Sequence, residues 1–173
     1  MSLILLADDS PHAQRMGQRI LAGEGLGVEC VANGIDAALR FRELDPDVVI
    51  VDAHLPGLSG FDLCRNVKSG SRHVRVILTV GSLEELDEPA AYRAGCDAIL
   101  RKPFEASKLM AIVRPLALQA QQARKTDLSA TGVSNPAGSK ADDIRATVER
   151  TVERELPRFL DEVTQKVLAA LGH

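Results

Sequence analysis

The sequence contains no tryptophan, and aromatic residues make up only 3% of its 173 positions. A surface that stacks bases or sugar rings depends on such side chains, so a single-stranded nucleic-acid platform is poorly supported. An excess of positive charge is missing too: 21 Lys and Arg stand against 24 Asp and Glu, for a net charge of −3. That removes the broad basic footprint of a nucleic-acid-binding face. No apolar run approaches the roughly 20 residues that cross a bilayer. The opening MSLILLADDS has a short apolar run, no basic residue ahead of it and two acids behind it, which predicts no secretory signal. The three cysteines, Cys30, Cys64 and Cys96, fall into no CxxC or Cys/His grouping. Zinc is therefore not expected, and reduced thiols in a cytoplasmic protein are.

The 45% hydrophobic and 26% charged content is that of an ordinary globular chain, enough for one domain and an appendage. Short apolar runs occur at Leu3–Ala7, Val28–Val31, Val48–Val51, Val74–Val80 and Ala98–Leu100, separated by stretches with helical spacing such as Met16, Ile20 and Leu21. The runs are nearly continuous rather than alternating, as in strands covered on both faces. Five of them alternating with helices predict an α/β fold with a doubly wound parallel sheet. Ser10-Pro11 reads as the opening of the first helix, Asn33-Gly34 as a turn before the second, and Ser59-Gly60 as the entry to the helix around 61–68. Pro89 predicts a short, broken or shifted fourth helix, and Pro115 a kink in a fifth helix over 104–122.

The texture changes after Gln122. Residues 123–140, rich in Ser, Thr, Gly, Asn and Pro toward their end, read as a flexible linker. Over 141–173 an apolar stripe of Ile144, Val148, Val152, Leu156, Phe159, Val163, Val167 and Leu171 predicts an amphipathic helical tail interrupted at Pro157. Such short helices are marginal alone, so the tail calls for a partner for its stripe, most simply a second copy through 141–171. A solvated tail is the other reading. The 33 residues are too few for a winged helix and show no helix-turn-helix spacing.

The residues that carry chemistry sit at strand ends. Asp8-Asp9 follows the first strand, Asp52 ends the third, and Lys102-Pro103 follows the fifth. In an open parallel sheet the carboxyl ends of the strands line one crevice. If strands one, three and five are neighbours, three carboxylates and one ammonium converge there. Crowded carboxylates call for a cation, and a hard, oxygen-seeking ion such as Mg²⁺, or Mn²⁺ in its place, suits them. An Asp beside such an ion and a Lys is a competent nucleophile for phosphoryl transfer.

Taken together, ILLADDS, VVIVDAHLPGLSG and AGCDAILRKPF, in this order and spacing, make the chain resemble the receiver domain of bacterial two-component response regulators over about residues 1–122. The resemblance implies a flavodoxin-like (βα)5 fold with strand order 2-1-3-4-5. It implies that Asp52 accepts phosphate from a sensor histidine kinase. It implies that Asp8, Asp9, Asp52 and the backbone carbonyl of His54 serve Mg²⁺, that Lys102 pairs with phosphoryl oxygens, and that the Lys102–Pro103 peptide is cis.

The chain departs from the family at its switch. The position usually held by Thr or Ser is Val80, followed by Gly81 where Ala is common; Thr79 lies one residue earlier, and alternation aims it the other way unless the register slips. The aromatic switch position is Ile99. His54 is expected over the site, where its ring would modulate phosphoryl lifetime, or else to be a plain loop residue. Ser82, at the facing position, is expected to leave that side open. The function expected is Mg²⁺-dependent phosphorelay signalling with output through a downstream protein partner, without nucleic acid or membrane. The alternative is a non-phosphorylated receiver-like adaptor, which Val80, Ile99 and Pro89 favour. Catalysis beyond self-phosphorylation from a donor and autodephosphorylation is not expected.

Overall fold

Val48, Val49, Ile50 and Val51 are an unbroken β-branched run, and a strand with that sequence is stable only if both its faces are covered. In the computed structural model, which describes residues 2–130, this run is β3 (Val48–Asp52), buried along its whole length and flanked by strands on either side. The chain order is β1 (Leu3–Ala7), α1 (Pro11–Gly23), β2 (Gly27–Val31), α2 (Gly34–Leu44), β3, α3 (Gly60–Gly70), β4 (Arg75–Val80), α4 (Glu88–Arg93), β5 (Ala98–Arg101) and α5 (Ala106–Ala130). The strands pair in parallel in the order β2-β1-β3-β4-β5. This is the flavodoxin-like arrangement expected from the sequence.

Alternation along the strands sorts the core into two layers. Leu5, Ala7, Val49, Val51, Val76 and Leu78 pack with Phe41 of α2 and Leu63 and Cys64 of α3. Ile4, Leu6, Val48, Ile50 and Ile77 pack with Leu21 of α1 and Leu109 and Val113 of α5. Burial pushes the Cys64 thiol up to about 12, so it stays protonated and inert, as befits a core residue.

Helix starts follow the side chains that the sequence supplies. Ser10, Asn33, Ser59 and Asp87 each accept a backbone N–H three residues on, which satisfies a donor that the first turn leaves unpaired. Asp87 and Pro89 together explain α4: the proline occupies the first turn, where it does no harm, and the helix is only six residues long.

The fifth helix departs from expectation. It contains Pro115, as the sequence implies, but runs to Ala130, eight residues past Gln122, so the first part of the expected 123–140 linker is helical. Gln, Ala, Arg and Lys from 121 to 125 favour helix, and a tertiary anchor holds it: Arg124 Nη2 donates to the Asp45 carbonyl at 2.6 Å and lies 3.4 Å from Asp47 Oδ1. The remainder of the expected linker and the 141–173 tail lie outside the described residues. Among the described residues, no helix is long and apolar enough to cross a membrane.

Candidate functional site

The sheet order puts β1 and β3 side by side, with β4 next to β3 and β5 beyond it. Their carboxyl ends therefore deliver Asp8, Asp9, Asp52 and Lys102 to one edge, as the sequence predicts. Asp8 and Asp52 are buried, whereas Asp9 is exposed. Carboxylate oxygens of the three lie within 4.8 Å of one another.

Lys102 joins the two buried acids. Its Nζ stands 2.7 Å from Asp8 Oδ2 and is also hydrogen-bonded to Asp52 Oδ2. The remaining oxygens take backbone donors: Asp8 Oδ1 accepts the Ser10 N–H at 2.9 Å, and Asp52 Oδ1 accepts the His54 N–H at 2.7 Å. Burial holds the Asp8 carboxyl above its ordinary range, although Lys102 and the Ser10 N–H pull it down. For Lys102 burial works the other way, yet hydrogen bonds with Asp52 and Asp8 outweigh it and hold the ammonium above the usual lysine value.

The backbone around these groups is fixed from several directions. The Lys102 N–H donates to the Val80 carbonyl and the Ala53 N–H to the Thr79 carbonyl, each at 2.8 Å. The Lys102–Pro103 peptide is cis, as the resemblance implies. Gln14, which no sequence motif marks, donates its Nε2 to the Asp8 carbonyl at 2.5 Å and to the Val31 carbonyl at 3.2 Å, tying α1 to the ends of β1 and β2. Its only sequence signal is a polar side chain in the turn after Ser10-Pro11.

The switch positions are apolar in place as well as in sequence. Val80 is fully buried at the end of β4, and Ile99 is half-buried against the α2–α3 side of the core. Thr79 pairs in register with Asp52; it is buried, and its hydroxyl has no hydrogen-bond partner among the described residues. His54 is exposed, with its Nδ1 3.3 Å from Glu84 Oε2. Ser82 is exposed. Glu84, which carries no motif, lies in the same loop, with its carboxylate on the Gly81 N–H and beside the His54 ring. Its position depends on a loop fold, and a Gly81 three residues ahead of an acid is a faint signal. A groove of about 550 Å³ between the ends of α2 and α3, lined by residues such as Phe41, Asn66 and His73, contains none of these groups.

Comparison with known proteins settles the family. The profile of the response regulator receiver domain matches residues 4–114. The chain belongs to the response regulator receiver family. A 34% identical relative over 111 residues is the DNA-binding response regulator MtrA of Mycolicibacterium smegmatis; the match covers 64% of this chain and 48% of that protein. This receiver chain thus spans about half the length of that relative, and the match lies within the receiver. Among solved structures, a putative response regulator from Chloroflexus aurantiacus is 27% identical, with a TM-score of 0.64 over 68% of this chain and 98% of that one. The receiver domain of a sensor histidine kinase from Pseudomonas aeruginosa PAO1, with a magnesium ion coordinated in its active site cleft, is 28% identical, with a TM-score of 0.61 over 67% of this chain and 97% of that one.

The donor set of this receiver fits a divalent cation of the Mg²⁺ class. It is all oxygen, two of its three carboxylates are buried, and Asp9 adds charge that a single lysine does not balance. An ion that binds only the folded state stabilises it by mass action. Millimolar Mg²⁺ is therefore expected to raise the melting temperature by several degrees, and Asp9→Asn to lose most of that gain. An equal rise in the variant, measured by differential scanning fluorimetry, would place the ion elsewhere.

Proposed function

We propose that this receiver accepts a phosphoryl group on Asp52 from the phosphohistidine of a sensor kinase, with Asp8, Asp9, Asp52 and the His54 carbonyl holding Mg²⁺. The observation that carries the reading is the placement of Lys102 between two buried carboxylates at the strand ends. A nucleophilic carboxylate needs a free oxygen, a fixed orientation and a positive partner for the incoming charge. The His54 N–H holds one oxygen of Asp52, and the other, which now meets Lys102, faces the crevice. In the transfer, an Asp52 oxygen forms the new bond to phosphorus while the bond from phosphorus to the donor nitrogen breaks, its electron pair leaving with the donor imidazole. Lys102 exchanges its contact with Asp52 for one with a phosphoryl oxygen and keeps Asp8 as its counter-ion. Mg²⁺, when bound, neutralises charge on the transferred group.

Output through protein contacts, with the 141–171 segment pairing with a second copy, is proposed from the apolar stripe in the sequence. MtrA is named as DNA-binding, but its match to this chain lies in the receiver, so that description is not carried over. The second reading, a non-phosphorylated adaptor, draws support from the buried Val80 and the half-buried Ile99, neither of which offers a polar group to a phosphate.

Intact-mass measurement after incubation with Mg²⁺ and acetyl phosphate separates the two. One phosphoryl group is expected on the wild-type chain and none on Asp52→Asn. Absence of a mass gain in the wild type, under conditions that modify an ordinary receiver, selects the adaptor.

A further inference from the structure

Glu84 reaches from the loop after β4 to His54, two residues beyond Asp52. Its Oε2 accepts the Gly81 N–H at 2.7 Å and lies 3.3 Å from His54 Nδ1, so one carboxylate bridges the loop after β4 and the loop after β3. Gly81 makes room for it: a Cβ at that position would stand 2.8 Å from the Glu84 carboxylate. The next tie runs to β5, because Arg101 Nη1 donates to the Glu84 carbonyl at 3.2 Å. Leu83, beside it in the same loop, is 98% exposed.

The contact lies beside the acceptor. His54 gives its N–H to Asp52 and its ring to Glu84. Gly81 comes two residues after Thr79, which pairs in register with Asp52. The Gly81 N–H is a backbone donor at the end of a central strand, and in the resting protein an anion already occupies it. Val80 has no side-chain donor, and the buried Thr79 hydroxyl has no hydrogen-bond partner among the described residues.

We propose that Glu84 is the positioning residue through which this receiver reads its own phosphorylation: its carboxylate holds the Gly81 N–H and His54 in the resting state and is displaced by the phosphoryl anion formed on Asp52. The inference rests on Asp52 being the phosphoacceptor. Two anions beside one another repel, and both seek the same backbone donor. The Glu84 contact is half exposed and correspondingly weak, so a more highly charged group can replace it. Its departure frees the loop from Gly81 to Asp87, carries Leu83 with it and loosens the tie to Arg101. This supplies a route from Asp52 to the surface that needs neither a hydroxyl at position 80 nor a ring at position 99.

The test uses the full chain as wild type, Glu84→Gln and Glu84→Ala, with Mg²⁺ and acetyl phosphate. The rate of phosphoryl gain is read by intact mass and the Gly81 amide resonance by NMR. Both variants are expected to gain phosphate about fivefold faster, the effect of removing one screened like charge at a few ångströms. In the wild type, the Gly81 resonance is expected to move on phosphorylation. Glu84→Gln retains an oxygen for the Gly81 N–H, so a fast Glu84→Ala beside a wild-type-like Glu84→Gln would make the contact steric and overturn the displacement. Equal rates in all three chains with an unmoved Gly81 resonance would overturn it while leaving Asp52 as acceptor. No mass gain in any chain would overturn the acceptor itself, and the displacement with it.

Discussion

Replacing Lys102 with methionine is expected to cost about 3 kcal/mol of folding free energy at neutral pH without Mg²⁺. Lys102 is the cation between the buried side chains of Asp8 and Asp52, and methionine fills a similar volume without its charge. Removing one partner of such a group leaves the others charged and desolvated, the expensive way to break a buried ion pair. The figure is at the low end of the usual range because Lys102 keeps 21% of its side chain in contact with water. Urea titration should show a lower midpoint with an unchanged slope. The deficit has a definite pH sign. Burial already raises the Asp8 carboxyl above its unfolded value, and loss of Lys102 removes a group that pulls it down. A carboxyl with a raised folded pKa contributes stability below its unfolded pKa and loses it as pH rises through the folded one. The gap between variant and wild type should therefore be widest at neutral pH and narrow as pH falls toward about 4, the unfolded carboxylate range. Added Mg²⁺ should recover part of it. A variant as stable as wild type at pH 7 without metal would mean that the acids are neutralised by something other than Lys102.

Gly60→Ala is expected to destabilise the fold by about 3 kcal/mol, the upper part of the usual range for overpacking. A Cβ on Gly60 would stand 2.2 Å from the Asp52 carbonyl oxygen and 2.9 Å from Ala53 Cα, and neither is the flexible end of a side chain. The Gly60 N–H also donates to the Ala53 carbonyl at 3.2 Å, so the start of α3 lies directly on the chain that leaves β3. The clash must lift α3 or push the Asp52 backbone out of place, and the rate of phosphoryl gain should fall along with the stability. Gly23→Ala is the control: nothing lies within 4 Å of its Cβ, its φ is unexceptional, and it should be neutral or stabilising by up to about 1 kcal/mol. Thermal melts of the two variants check the contrast. Equal melting temperatures would show that α3 yields at little cost.

The two glycines mark where the sequence stops being legible. Ser59-Gly60 reads correctly as a helix entry, because capping is local chemistry. That Gly60 must lack a side chain depends on β3 lying beneath it, which only the folded chain reveals. The strands are legible for the same reason that the caps are: a continuous β-branched run has few other uses. Asp8, Asp9, Asp52 and Lys102 are legible because topology alone carries strand ends to one edge. Gln14 and Glu84 are not, since each reaches the site by a side-chain bond to a backbone group of a distant or folded segment. The end of α5 is not legible either, because the change of composition after Gln122 does not coincide with a change of structure. Arg124 finds its partners in the turn between α2 and β3, more than seventy residues earlier.

The burial of β3 has a consequence for when the parts of the site open. Its backbone bonds to β1 on one side and β4 on the other, and every one of its residues is buried. Amide hydrogens in such a strand exchange with solvent only through openings that approach global unfolding. The loop from Gly81 to Asp87 is mostly exposed and lies outside the sheet, so its amides exchange through small local openings. The Asp52 carboxylate therefore stands on the part of the domain that opens last, and the loop after β4 belongs to a part that opens first. If Asp52 is modified as proposed, the rearrangement is expected in the fast-exchanging loop rather than in the strand that carries it.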